Sequence, residues 1–475
     1  MSTTTVSPLR TVPSGSEILR WGPVLVLLSG TFVVVLDAFI VNVAIPELQR
    51  DLGASSAAVE WVVAGYALAY GSGQIIAGRL GDRLGRRRML ALGMALFTLA
   101  SLACGLAPNA GALIGTRIVQ GLAAALLGPQ VLSTLSVQFT GAARLRALNA
   151  YGVTMGIAAV LGQLVGGALI AGAGPGLGWR ACFLINVPVG LVVLVLLPRL
   201  VSETKAPVRP RLDLVGMGLV AVTAVAVVLP LIDGRAHGWP LWAWLALASG
   251  VPLVALLVAH QRALAARGGQ PLLPLGLFRE RAFAAGLLAQ TVFWAGQASY
   301  FLVLALYLQL GRGLTALQAG TFFAAVGAGY LLTSTAARRV AARLGRQVIT
   351  LGALMRVAGL GLMLVTVEAI GTTGSLLWLV PAVALDGAGM GFAIAPLATV
   401  VLSRVTPQHA GTASGVLASG LQLGGAVGVA AIGVVFFGTL ASHGYVAAFS
   451  AALVFLLVVC AAAAALVQLL PLRAA

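Results

Sequence analysis

GRLGDRLGRRR, residues 78–88, ends one apolar run and leads into the next, and five of its residues return 260 positions later: Arg79, Arg83, Leu84, Gly85 and Arg86 recur as Arg339, Arg343, Leu344, Gly345 and Arg346. Gly78 and Gly85 allow a tight turn between helices, and the arginines hold such a turn at an anionic lipid surface. A second echo, Gly162, Gly166 and Gly167 against Gly420, Gly424 and Gly425, has the nearly equal offset of 258. Two independent echoes at nearly one spacing mark a duplicated chain. Its first six apolar runs repeat as its last six, and the two runs between them are an insert.

With 60% hydrophobic and 9% charged residues over 475 positions, the chain has too little polar surface to cover a water-soluble globule. Lipid is therefore its solvent, and the backbone must be satisfied within helices. Runs of about twenty apolar residues fall at 22–46, 58–77, 87–107, 110–138, 147–171, 180–198, 212–232, 240–260, 282–308, 316–336, 347–368, 375–402, 410–437 and 444–470. These predict an all-α polytopic membrane protein of fourteen transmembrane helices. Its parts are a cytoplasmic tail (1–21), a six-helix half (22–198), a cytoplasmic linker (199–211), inserted helices 7 and 8 (212–260), a cytoplasmic loop (261–281) and a second six-helix half (282–470). The first span serves as an uncleaved insertion signal, since the Ser- and Thr-rich stretch before it has no signal-peptide core.

The net charge of +17 follows the same alternation. With the N-terminus inside, 23 cationic side chains, from Arg10 and Arg20 through Arg144, Arg209, Arg338 and Arg404 to Arg473, fall on the cytoplasmic side; only Arg50, Arg180, Arg235 and Arg312 fall outside. That bias sets both termini in the cytoplasm and explains the charge without nucleic acid. His237, His260, His409 and His443 are scattered, and Cys104, Cys182 and Cys460 lie in apolar stretches, so neither a metal site nor a disulfide framework is expected. Lys205 is the only lysine and stands in SETKAP, which excludes a phosphate-binding Gly-x-x-x-x-Gly-Lys loop and an ATP-driven pump. An enzyme would need a soluble domain and a channel a polar-lined pore; the runs and loops suggest neither.

Further stretches carry a family likeness: LDAFIVNVAIP (36–46) in span 1, RIVQGLAAALLGP (117–129) in span 4, GWRACFLINVPVG (178–190) opening span 6, RLDLVGMGL (211–219) and LYLQL (306–310). With the 78–88 loop they resemble the fourteen-span drug:proton antiporter family of the major facilitator superfamily, along nearly the whole chain. The resemblance implies two six-helix halves around a central cavity and a gating loop made by Gly78, Asp82, Arg83, Gly85 and Arg86. In it Asp82 latches the halves at the positive N-terminal end of span 13. Two departures stand out. Phe39 replaces the Thr usual two positions after the span 1 Asp, and Gly162-Gln163 replaces the Gly-Pro of the span 5 antiporter signature.

Four ionisable residues lie deep in spans: Asp37, Arg117, Arg356 and Asp386. Each is costly in lipid and so a functional candidate. Asp37 is nine residues before Pro46 in an outward-running span and Arg117 eight after Asn109 in an inward-running one. At 1.5 Å per residue both lie about 12–14 Å below the outer end and can pair. A purely structural ion pair and a proton-coupling pair both fit, and the family resemblance places proton exchange there. Arg356 either snorkels toward the cytoplasm or takes part in function. Asp386 is either a second coupling acid facing the cavity or a satisfied packing carboxyl. Gln290, Phe293, Trp294, Gln297 and Phe301 share a face of span 9, and Tyr66, Tyr70 and Gln74 one of span 2. Either stripe reads as helix packing or as cavity wall, and in this superfamily span 9 borders the cavity, which favours Trp294 and Gln297. With Phe39 and Gln163 these residues form the expected substrate cavity.

The expected function is secondary active export of a small amphipathic compound, a drug, antibiotic or secondary metabolite, in exchange for protons. Uptake of a small organic solute by proton symport is the alternative on the same fold. No cofactor is expected, since the proton gradient is the energy source. The expected partners are substrate, protons and the lipid bilayer, with the chain a monomer in a bacterial cytoplasmic (inner) membrane. The excess of Arg over a single Lys points to a high-GC bacterium.

Overall fold

A computed structural model describes residues 21–174, 176–206, 211–402, 405 and 410–470. The tail with Arg10 and Arg20, and Arg209, Arg404, His409 and Arg473, lie outside the described residues, as does the side chain of Arg338. The first half consists of α1 Trp21–Leu52, α2 Ser56–Leu84, α3 Arg86–Gly105, α4 Ala110–Gln138, α5 Gly141–Gly172, the short α6 Ala181–Leu184 and α7 Asn186–Leu200. The insert is α8 Leu214–Leu229 and α9 Leu241–Ala266, and the second half is α10 Arg281–Leu306, α11 Ala316–Leu344, α12 Gln347–Ile370, α13 Val380–Leu402 and α14 Ala410–Val467.

Twelve helical stretches are long and apolar enough to cross a membrane. One is the 56-residue stretch Thr412–Val467, broken at Gly444 by a φ of 79°. The helix α2, which carries Glu60, Arg79, Asp82 and Arg83, is not among the twelve. The chain is thus a multi-pass, all-helical membrane protein among its described residues.

Both sequence echoes are structural. Gly85 closes α2 at φ 118° and Gly345 closes α11 at φ 56°, each donating its N–H to a carbonyl four residues back. Only glycine takes these angles at little cost, which is why both loops keep it. In the second echo, Gly162 and Gly166 let α5 lie against α1, where an added methyl would stand 3.1 Å from the Leu36 carbonyl oxygen or 2.7 Å from Ile40 Cγ1. Gly420 and Gly424 do the same for α14 against Leu287 and Thr291 of α10. Each half repeats one joint, its fifth span seated on its first.

The halves meet where α5 packs on α11 and α2 on α14. At Gly167 a Cβ would sit 2.5 Å from the Ala316 carbonyl oxygen, so the α5–α11 approach is backbone to backbone. The insert packs beside the seam of the halves, with α8 and the turn after it against both α2 and α14. Arg79 fastens it at the loop end by donating to the carbonyls of Arg211, Gln270 and Pro271. This arginine is therefore occupied by the protein's own backbone, where the sequence suggests lipid headgroups. Asp213 caps α8, accepting from Gly216 N at 2.8 Å and from His260 and Gln261 at 2.8 Å each. Burial raises its carboxyl pKa, but these hydrogen bonds prevail and hold it below the usual value.

Replacing Gly167 by Val forces the two backbones apart and is expected to destabilise the purified protein by about 1–3 kcal/mol. Gly218→Ala in α8, with nothing within 4 Å, is the matched control. Thermal unfolding in detergent checks the pair, and equal melting temperatures would show that the α5–α11 seam is loose.

Candidate functional site

The two residues that sequence places at one depth are in contact. Arg117 Nη1 donates to Asp37 Oδ2 at 2.5 Å, with the side chains 1% and 0% exposed. The other carboxylate oxygen accepts from Gln120 Nε2 at 2.9 Å and Asn186 Nδ2 at 2.8 Å. Both amides also donate to Ser101 Oγ, which itself donates to the Phe183 carbonyl at 2.9 Å. Arg117 is further held by Gln120 Oε1 at 2.8 Å and the Val62 carbonyl at 3.2 Å. Its guanidinium lies 4.1 Å from the centre of the Tyr66 ring, a cation–π contact strengthened by desolvation. One buried carboxylate thus joins side chains from α1, α3, α4 and α7.

Gln120, Ser101 and Asn186 are the members that sequence reading passes over. Gln120 had a signal, since it follows Arg117 by three residues and so shares its helix face. Asn186 and Ser101 are single polar residues in apolar runs, which periodicity does not distinguish from ordinary packing.

A second buried pair occupies the other half. Arg356 Nε donates to Asp386 Oδ1 at 2.9 Å, the side chains 1% and 0% exposed. The snorkelling alternative for Arg356 is therefore corrected: the side chain runs inward, its guanidinium 4.9 Å from the centre of the Phe293 ring. Gly389 makes the room, because a Cβ there would stand 2.5 Å from Arg356 Cγ. Both terminal nitrogens of Arg356, Asp386 Oδ2 and the Tyr300 hydroxyl have no hydrogen-bond partner. By the duplication, α12 and α13 correspond to α3 and α4. Each half therefore buries one acid–base pair, between α1 and α4 in the first and between α12 and α13 in the second.

The expected cavity residues divide. Tyr66 and Tyr70 make an edge contact at 5.9 Å inside the first half, and Tyr70 and Gln74 lie against Gly128 of α4, so this stripe packs within one half. Gln290 donates to the Leu417 carbonyl at 3.1 Å. Gln163 and Gln297 are buried with both amide atoms unpartnered, and Trp294 is half-buried beside Phe293. Phe39 meets Phe301 edge-on at 5.1 Å across the two halves. In the loop, Asp82 pairs with Arg86 at 2.6 Å, Arg83 is exposed, and Gly78 faces Pro129. The expected latch partner of Asp82, the start of α14, adjoins residues outside the described set. Sequence reading also missed Glu203, whose carboxylate accepts from the N–H groups of Arg87 and Arg88 at the start of α3.

Apolar spans on either side of α8 and α9 each bury an acid–base pair, as fits a membrane transporter. Comparison with known families matches residues 27–429 to the Major Facilitator Superfamily. The chain is 39% identical over 433 residues, 89% of its length and 74% of the relative's, to a "Probable actinorhodin transporter" of Streptomyces coelicolor. It is 31% identical over 428 residues, 89% and 77% of the two lengths, to a "Tetracenomycin C resistance and export protein" of Streptomyces glaucescens. Among solved structures, a peptide transporter in complex with sulfate superposes with a TM-score of 0.68 at 18% identity, covering 96% of this chain and 98% of that one. The chain belongs to the major facilitator superfamily and, within it, to the drug- and antibiotic-efflux transporters.

Arg356→Ala leaves Asp386 buried without its cation and is expected to cost about 3–5 kcal/mol, whereas replacing both partners with apolar residues costs far less. Thermal unfolding of Arg356→Ala beside the double variant Arg356→Met, Asp386→Leu checks this. Equal losses would mean that the pair is not the stabilising unit.

Proposed function

We propose that the chain exports small amphipathic organic compounds across a bacterial cytoplasmic membrane in exchange for protons, by alternating access, with Asp37 as the principal proton carrier. The observation that carries this reading is the convergence of three side-chain donors on the Asp37 carboxylate. As an anion it accepts from Arg117, Gln120 and Asn186 at once. Once protonated, it loses the charge that holds Arg117 and must give up an acceptor position for its own proton. The hydrogen bonds tying α1 to α4 and α7 then rearrange, so the packing of the first half has a different optimum with and without the proton. A switch of this kind, with two discrete arrangements, is what alternating access requires.

Asp386 is the second candidate carrier, with its unpartnered Oδ2 as the place a proton would bind. Phe39, Gln163, Gln290, Trp294 and Gln297 form the substrate-facing set. Gln163 and Gln297 have amide atoms free to bond a ligand, and Phe39 and Trp294 offer aromatic surface. Tyr66 backs the Asp37 centre through Arg117, and Tyr70 and Gln74 continue that stripe against α4. In this reading the 78–88 loop gates the cytoplasmic side and both termini are cytoplasmic. The protein works as a monomer without a cofactor, on the proton gradient alone. Counting α2 and the two arms of α14 on either side of Gly444 as spans gives the fourteen-helix arrangement of two six-helix halves, 22–198 and 282–470, around the insert. The export and resistance proteins among its relatives support the outward direction over uptake by symport.

Substrate added to the purified protein is expected to release protons, and Asp37→Asn to abolish that release while substrate still binds. Arg117→Ala combined with Asp37→Asn is expected to be little worse than Asp37→Asn alone, because the two act as one unit. Release from Asp37→Asn equal to that of the parent would move the carrier to Asp386. Uptake into vesicles of known orientation under an inward proton gradient would make the protein a symporter.

A further inference from the structure

At the end of the molecule away from the 78–88 loop, the insert reaches between the halves. The turn joining α8 to α9 is a π-helix, Pro230–Gly234, and it delivers two charged residues against α2. Asp233 accepts from Trp61 Nε1 at 2.9 Å. Arg235 pairs with Glu60, reaches Ser56 Oγ at 3.4 Å, and places its guanidinium 5.0 Å from the centre of the Phe437 ring on α14. A single side chain of the insert therefore touches α2 of the first half and α14 of the second.

Three independent features mark this contact as more than packing. Glu60 is fully buried; one oxygen holds Arg235, and the other, Oε2, has no partner and lies where a Cβ on Gly433 of α14 would be. The turn is irregular: besides its π-helical form, it leads to Trp239, the only non-glycine residue with positive φ (60°) among the described residues. Such conformations persist at functional elements because surrounding contacts enforce them. Finally, a cavity of about 350 Å³ opens beside Arg235, lined also by Gln49, Ser56, Leu310, Phe437 and Tyr445. A second π-helical turn, Tyr307–Gly311, borders it through Leu310.

We propose that Arg235 is the clasp that keeps this far end of the transporter closed, and that a proton reaching Glu60, one residue layer behind the Arg235 side of the cavity, releases it. The inference rests on the alternating-access reading above. The proton binds Oε2 of Glu60, and Arg235 keeps its charge but loses the anion seating it on α2. Phe437 and the long contact to the neutral Ser56 hydroxyl are all that then hold it, and α14 is free to part from α2. The other groups nearby do not replace that tie to α2: Asp233 keeps its charge but belongs to the insert's own turn, Ser56 is neutral, and the cavity-lining residues of α14, Phe436, Phe437, Leu440, Ala441 and Tyr445, bring no carboxylate. In an exporter driven by proton influx, this links proton arrival from outside to opening toward the outside. It also gives the inserted hairpin a role that the duplicated halves lack.

The test uses the full chain in liposomes, with cysteine reporters labelled by a membrane-impermeant maleimide: Leu310→Cys in the far-end cavity and Tyr330→Cys where α11 faces Gly156 nearer the loop end. The native cysteines are buried. Labelling is divided at each pH by that of the denatured protein, so that thiol ionisation cancels, and in the parent this normalised labelling of Leu310→Cys is expected to rise as the pH falls. Glu60→Gln is expected to raise it about tenfold at neutral pH and to flatten its pH dependence, while labelling of Tyr330→Cys declines. Arg235→Met, which keeps the stem and removes the charge, should do the same and serves if Glu60→Gln does not fold. Unchanged labelling in these variants, a pH dependence that survives Glu60→Gln, or increased labelling at both ends would overturn the clasp. Proton release at Asp37 is measured separately, so a failed clasp with normal release leaves the antiport reading standing, and the reverse result removes antiport alone.

Discussion

Everything in the first half is arranged around one constraint: a carboxylate cannot stay charged in hydrocarbon unless its surroundings supply the opposite charge and the hydrogen bonds that water would have given. Asp37 receives a guanidinium and two amides, and each donor sits on a different helix from the acid. The packing of α1, α3, α4 and α7 is therefore conditional on a charge. An apolar core of the same volume would hold those helices together under all conditions. A core built on Asp37 holds them only while the carboxylate and its donors stay matched, and the proposed antiport draws on that conditionality.

How much of this was legible in the sequence depended on whether a residue's role was local or arose across the chain. The duplicated loop and the glycine triplets could be read directly, because a positive-φ turn at Gly85 and a backbone approach at Gly166 each demand glycine where they stand. Asp37 and Arg117 were legible as a pair because helical rise alone equalised their depths. Arg356 and Asp386 were seen as separate charges, since their contact depends on α12 lying against α13 over Gly389, and a glycine in LDGAGMG does not announce what fills its space. Glu60 was hidden for a different reason. It stands near the end of a span, where an acid is ordinarily solvated, and its burial comes from α14 and from a turn 175 residues away.

The two acid–base centres also differ in how they are satisfied. The first leaves both oxygens of Asp37 partnered, whereas the second leaves Asp386 Oδ2 and both terminal nitrogens of Arg356 unpartnered. Each half keeps a buried acid–base pair, but on different helices and with different bonding. In the first half the acid itself is fully bonded, with only Asn186 Oδ1 left over, while in the second the acid and the cation both keep unpartnered atoms.

The insert is fastened to α2 twice, by Arg79 at one end and by Glu60 and Trp61 at the other. Its outer surface, with Leu241, Trp242, Trp244 and Val251 exposed, is turned to the acyl chains. Aromatic side chains of this kind settle at the headgroup level, and a helix pair whose apolar length does not match the bilayer adjusts by tilting. A hairpin pinned at both ends cannot tilt alone. A change in bilayer thickness or lateral tension is therefore passed to α2 as a lever acting on the seam between the halves, which makes the composition of the surrounding lipid part of the mechanics of this transporter.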